Sequence, residues 1–186
     1  VNRFTARQVN AIATAYPDVL RLSPRYASKV HLVGNPVRED VLALRDEPYP
    51  PLLADGIFRV LVTGESQGAT ILSDIVPDGL ARLPLNLRSR LQVTQQCRAE
   101  DIETVRQAYA THDIPAELAT YLPDLPERLG WAHMVIGRAG ASTVAELTCA
   151  GRPAILVPLP SATDNHQSYN VKEMVAAGGA RAIAQP

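Results

Sequence analysis

The chain has 186 residues, 46% of them hydrophobic, with 18 Lys and Arg against 19 Asp and Glu. That composition supports a full apolar core and excludes a disordered chain. The balanced charge, with no basic run, excludes an electrostatic footprint for nucleic acid, so no nucleic-acid partner is expected.

The chain opens Val1-Asn2-Arg3-Phe4, without a Met and without the charged start and apolar core of a signal peptide, and it reads as a fragment of a longer protein. Residues 2–15 are predicted helical from the spacing of Phe4, Val9, Ile12 and Ala13, with no breaker before Pro17. A short strand is expected at Lys29-Val30-His31-Leu32-Val33, followed by Gly34-Asn35-Pro36-Val37-Arg38. The stretch Arg45 to Pro51, with prolines at 48, 50 and 51, is the strongest linker candidate.

From Phe58 strands and helices alternate. Strands are predicted at 58–64, 90–97, 117–122, 132–138, 153–159 and 180–185, and helices at 69–83, 99–112, 124–131, 142–150 and 165–178. Five βα units and a closing strand predict an α/β fold: a Rossmann-like parallel sheet with helices on both faces. Right-handed crossovers put the strand-to-helix loops 64–69, 137–143 and 159–167 on one edge, where such folds bind ligands. Cys97 and Cys149 form no CxxC or Cys/His pattern and read as reduced thiols of a cytosolic protein. No apolar run reaches the length of a membrane span.

Gly64-Glu65-Ser66-Gln67-Gly68 matches the nucleophile elbow G-x-S-x-G. A hydrolase also needs an acid and a His after the serine. His112 and His133 fall on the wrong edge of the sheet, His166 has only Asp164 nearby, and no HGGG-type loop precedes the motif. A dinucleotide site is equally poorly supported, because the loop is not G-x-G-x-x-G and the second strand ends Gln95-Gln96-Cys97 rather than on an acid.

The same loop suits an anion at a helix N-terminus, with Ser66 as a phosphate ligand, or a tight turn with Ser66 as N-cap. Gly137-Arg138-Ala139-Gly140-Ala141-Ser142-Thr143 repeats the arrangement, and two such loops on one edge suit a diphosphate or nucleotide. Glu146 could accept both hydroxyls of a ribose; a capping box, Thr143-x-x-Glu146, is the simpler reading. Arg38 could reach a phosphate across a cleft, although a surface arginine is the commoner case. His166, Gln167 and Asn170 could read sugar hydroxyls or simply start a solvated helix. No Cys/His/Asp cluster has metal-ligand spacing, so no metal or other cofactor is expected.

Together GNPVR (34–38), GESQGA (64–69), RAGASTVAEL (138–147), PAILVPLP (153–160) and DNHQSYN (164–170) resemble the MurG family. These are the UDP-N-acetylglucosamine:lipid I N-acetylglucosaminyltransferases of bacterial peptidoglycan synthesis. NRFTARQVNAIATAYP (2–17) resembles the last helical stretch of that family's N-terminal domain. The resemblance implies one half of a GT-B fold and the peripheral location of the family, on the cytoplasmic face of the inner membrane. Residues 1–38 are then the end of the acceptor domain, 39–57 an interdomain linker, and 58–186 a UDP-sugar donor domain lacking the family's final helices. The acceptor domain would supply the lipid I site, the membrane-facing surface and the catalytic residues, leaving none in this chain. The fragment itself is expected to be soluble.

Carried over by resemblance, Arg38 and Ser66 would contact donor phosphate, with Gln67 and Gly68 in the same loop. Leu122 would lie beside the uracil. Ala141, Ser142 and Thr143 would line the nucleotide-sugar, with Glu146 on the ribose diol. Gln167, with His166 and Asn170 near it, would recognise N-acetylglucosamine hydroxyls. Glu65 stands where the family usually has Gly, and a carboxylate beside a diphosphate is unfavourable unless it points away. The alternative is a non-catalytic UDP-sugar-binding subunit that works only with a separate acceptor subunit.

Overall fold

The computed structural model describes residues 2–16, 22–64, 69–160 and 166–185. The chain forms two compact units, residues 1–36 and 37–186.

In the first unit, residues 2–15 do not form the expected helix. Helix α1 covers Asn2–Thr5 only, and Ile12–Thr14 is a strand, β1. It pairs in parallel with β2, Val30–Leu32, in the register Ile12↔Val30 and Thr14↔Leu32. The helical spacing of apolar residues makes no buried stripe, for Phe4 is 85% exposed. Ile12 and Thr14 are β-branched and suit extended backbone. Lys29 closes a 3-10 turn at Pro24–Lys29 and donates its Nζ to Val9 O at 2.7 Å, satisfying a carbonyl that no helix continues to use.

The second unit carries the expected sheet. Its strands are β3 (Phe58–Thr63), β4 (Leu91–Gln96), β5 (Ala116–Ala119), β6 (Met134–Gly137), β7 (Ala154–Leu156) and β8 (Ala180–Ala182). All pairings are parallel, and the spatial order is β5-β4-β3-β6-β7-β8. Counted from β3, this is the 3-2-1-4-5-6 order of doubly wound dinucleotide-binding folds, with its switch point between β3 and β6. The period of two sends alternate side chains to opposite faces. Val60 and Val62 join one buried cluster and Leu61 the other; Ile136 and Val135 divide the same way.

Helices cover both faces. α3 (Thr70–Ala81) and α5 (Ile102–Thr111) pack over the cluster of Val60 and Val62 through Leu72, Val76, Val105 and Tyr109. A short α4 (Leu85–Arg88) leads into β4. Tyr109 donates its hydroxyl to Gln95 Oε1 at 2.6 Å inside this layer, and burial raises the Tyr109 pKa. Burial also pushes the Cys97 thiol up to about 11. α6 (Leu125–Trp131) and α7 (Ala141–Ala150) cover the opposite face through Leu129, Val144 and Leu147. α8 (His166–Asn170) and α9 (Lys172–Ala176) complete that layer with Val171 and Met174.

Residues 39–57, expected to connect two domains, include α2 (Glu39–Leu42) and a 3-10 turn at Ala43–Asp46. Val41 and Leu44 are 0% and 7% exposed and belong to the core cluster under α6 and α7. Farther along, the Tyr49 hydroxyl donates to His133 O at 2.6 Å, and the Arg152 guanidinium lies 5.3 Å from the Tyr49 ring centroid. Arg152 donates to Leu129 O and Gly130 O, carbonyls at the end of α6 that have no intrahelical partner. His133 Nδ1 accepts the Arg59 N–H at 2.9 Å, so the ring proton sits on Nε2, 3.3 Å from Pro51 O. This stretch is therefore part of the compact unit that begins at Val37.

Candidate functional site

The carboxyl edge of the sheet at the switch point opens into a cavity of about 470 Å³, within the range of small-molecule sites. Two strand ends meet closely there. A Cβ added to Gly137, at the end of β6, would lie 2.9 Å from Thr63 O, at the end of β3. Only glycine lets the two backbones approach this far.

Each wall comes from a different element. Thr63 and Gln96 supply a polar part: Thr63 Oγ1 donates to Gln96 Oε1 at 3.1 Å, and Gln96 Nε2 donates to Thr120 O at 3.3 Å. Tyr121, Leu122, Leu125, Leu129, Val135 and Leu147 supply an apolar part. Gly140, Ala141, Ser142, Thr143 and Glu146 bring the start of α7, and Arg38 brings a cation from the N-cap position of α2.

The start of α7 determines what charge the cavity favours. Gly140 is its N-cap residue, with φ −62° and ψ 149°. Gly140 has no side chain with which to cap it, and no acid lies in its first turn. The first-turn N–H groups of an α-helix lack intrahelical acceptors, and the dipole places partial positive charge there. A helix start that lines a cavity gives that part of its wall a partial positive charge.

The capping-box reading of Glu146 is corrected by this geometry. Because Gly140 is the N-cap, Thr143 is the third helical residue and Glu146 falls in the second turn, too far along to reach back. Its Oε1 instead lies 3.3 Å from Arg38 Nε, and its side chain is only 16% exposed. Arg38 Nε also lies 3.9 Å from Asp40 Oδ1. The site thus presents one guanidinium flanked by two carboxylates, beside a helix terminus that attracts anions.

Of the residues singled out in the sequence, Arg38, Leu122, Ala141, Ser142, Thr143 and Glu146 are brought together in this cavity. Ser66, Gln67 and Gly68, with Glu65, lie outside the described residues, as does the His166 side chain; α3 has Ala69 as its N-cap residue. Gln167 and Asn170 do not line the cavity. They are 5% and 7% exposed, and both bond to loop backbone at Ala139. Thr63, Gln96, Tyr121 and Leu125 were not singled out. Thr63 and Gln96 sit at the ends of strands expected at 58–64 and 90–97, and that position was the signal for them. Among the described residues no group of His, Cys, Asp and Glu could hold a metal ion, and no helix is long and apolar enough to cross a membrane.

Comparison with known proteins agrees with the motifs. A curated relative from Erythrobacter litoralis is 67% identical over 100% of this chain, which covers 46% of that protein. Another, from Novosphingobium aromaticivorans, is 68% identical over 100% of this chain and 48% of its own length. Both are described as UDP-N-acetylglucosamine--N-acetylmuramyl-(pentapeptide) pyrophosphoryl-undecaprenol N-acetylglucosamine transferases. The crystal structure of Acinetobacter baumannii MurG superposes with a TM-score of 0.76 at 27% identity, over 98% of this chain and 49% of that one. The chain spans about half the length of the curated relatives it matches. The resemblance to the MurG family and the expected half of a GT-B fold are borne out. Residues 59–186 match the glycosyltransferase family 28 C-terminal domain, and the chain belongs to that family.

Proposed function

We propose that this chain is the donor-binding half of an inverting glycosyltransferase. The enzyme moves N-acetylglucosamine from UDP-N-acetylglucosamine to the 4-hydroxyl of the muramoyl sugar of lipid I, forming lipid II. The observation that carries the reading is the cavity at the switch point, which the start of α7 lines together with Arg38 and Glu146. The activity for which the relatives are named supplies the sugar and the acceptor.

In this reading the diphosphate lies at the start of α7 and within reach of Arg38, joined by the loop of Ser66, Gln67 and Gly68. The uracil lies against Leu122, Glu146 accepts the ribose diol, and His166 stands on the sugar side. The acceptor oxygen attacks the anomeric carbon, the anomeric C–O bond to phosphate breaks, and UDP leaves with the electron pair. Helix N–H groups and Arg38 stabilise the charge that grows on the leaving diphosphate. The hydroxyl proton goes to a base on the acceptor-binding domain, to which the unit of residues 1–36 belongs. That domain also carries the lipid I site and the contact with the cytoplasmic face of the inner membrane.

Titration calorimetry with UDP, UDP-glucose and UDP-N-acetylglucosamine tests the reading. Binding of UDP-N-acetylglucosamine in preference to UDP-glucose, without transfer to lipid I by this chain alone, is expected. Absence of any UDP binding, or robust transfer by the chain alone, overturns it.

A further inference from the structure

β5 is an edge strand, four residues long and paired only with β4 among the described residues. The loop that follows it brings Tyr121 and Leu122 to the cavity, and α6 adds Leu125 and Leu129 to the same wall. A wall hung on an edge strand lacks the second ladder that holds a central strand, and local opening starts where such support is thin. One side chain on α6 makes up for this. Arg128 donates Nη1 to Thr94 Oγ1 on β4 at 3.1 Å. Its Nη1 and Nη2 also reach the two carboxylate oxygens of Glu117 on β5, Nη2 to Oε1 at 2.6 Å. Its Nε donates to Asp124 Oδ2 at 2.9 Å. Thr94 and Glu117 are directly opposite in the register of β4 and β5, so one planar guanidinium spans both strands.

Asp124 is the N-cap residue of α6, where a carboxylate ordinarily accepts a first-turn N–H, yet its side chain makes no cap bond. It is committed instead to Arg128, four residues on. Arg128 thereby joins the end of the loop after β5 to the two strands behind it. At the start of that loop Gln96 Nε2 donates to Thr120 O at 3.3 Å, so Tyr121 and Leu122 lie between two fixed points. Arg128 itself does not line the cavity. From this geometry we infer that Arg128, acting through Asp124 and Glu117, is a positioning residue for the wall that receives the nucleobase. The inference rests on the donor-site reading above, which puts the uracil against Leu122.

Positioning separates from a charge effect because Arg128 and Asp124 carry opposite charges. Arg128→Met removes a cation and Asp124→Ala an anion, and both release the end of the loop. Each variant is expected to weaken UDP about fivefold, the equivalent of one hydrogen bond, and to leave inorganic pyrophosphate unchanged, because only UDP carries the base. Calorimetry with the two ligands reads both values. Opposite changes in UDP affinity, the signature of a field acting on an anion, overturn the inference. Equal losses for UDP and pyrophosphate overturn it, and so does a lower Tm with both Kd values unchanged in the folded protein. NMR relaxation on the unsubstituted protein needs no variant to fold. Backbone order parameters of about 0.85 at Tyr121, Leu122 and Asp124 without ligand support the inference, and values below about 0.6 overturn it. Failure of the unsubstituted protein to bind UDP at all overturns the donor-site reading and the inference with it.

Discussion

Arg38 Nε and Glu146 Oε1 lie 3.3 Å apart, so the two groups proposed for adjoining parts of a nucleotide, phosphate and ribose, pair with each other. The Glu146 side chain is 16% exposed and that of Arg38 51%, which places the carboxylate in the wall and the guanidinium toward solvent. In the proposed complex UDP parts them. Each then exchanges one polar partner for another, so neither is left desolvated and unpaired.

Glu146→Gln removes one anion and leaves Arg38 with Asp40 alone. UDP affinity is expected to fall about tenfold through loss of the charged ribose contact, while affinity for inorganic pyrophosphate holds or rises. Calorimetry with the two ligands checks this. Equal UDP affinity in both proteins would take Glu146 out of the ribose site.

Gly137→Ala tests the close approach at the switch point. The new Cβ would meet Thr63 O at 2.9 Å, backbone against backbone, so β3 and β6 must part. A cost of about 1–3 kcal/mol is expected, read as a lower Tm. Gly79→Ala is the control: it lies inside α3 with nothing within 4 Å of the added carbon, and stabilisation of roughly 0.5–1 kcal/mol is expected there.

His133 makes stability depend on pH. Burial lowers its folded pKa below the ordinary 6.5, and the hydrogen bond to Pro51 O opposes this only in part. Protonation would also place a proton on Nδ1, against the Arg59 N–H. The unfolded chain binds the proton more readily, so this contribution is complete above pH 6.5 and is lost as the pH falls from there toward the folded value. Thermal unfolding from pH 7.5 to 5 should show Tm falling with pH, with a shallower slope in His133→Gln. Equal slopes in the two proteins would remove His133 as the cause.

Cys97 is 1% exposed, and its thiol is pushed up to about 11, chiefly by burial. At pH 8 on the order of one molecule in a thousand carries the thiolate, the reactive form. Ellman's reagent should therefore leave Cys97 unmodified in the folded protein and react with it in urea. Rapid labelling of Cys97 in the native state would contradict the packing of Val105 and Tyr109 around it.

The six strands of the second unit were legible because parallel strands covered on both faces are continuous apolar runs, and FRVLVT and MVIG are such runs. The start of α7 was less legible: Thr143 followed by Glu146 reads locally as a capping box, whereas Gly140 is the N-cap residue. Residues 2–15 misled because Phe4, Val9 and Ile12 keep helical spacing while the strand partner of Ile12 is Val30, which local periodicity cannot register. The Arg38–Glu146 pair was half legible. Both residues were singled out, but their meeting depends on α2 packing against α7, a contact between distant segments. The bonds of Gln167 were not legible, since an amide at a helix start reads alike whether it faces solvent or a neighbouring loop.

The burial of Val41 and Leu44 bears on any attempt to excise this half as an independent protein. A cut at residue 59, where the family match begins, would lose only the first residue of β3 from the sheet yet strip the cover from α6 and α7, expose Leu129 and Leu147, and discard Arg38. A piece that starts at Val37 keeps that cover and Arg38, and its solubility and the proposed hold on a diphosphate are both expected to fall when the start is moved to residue 59.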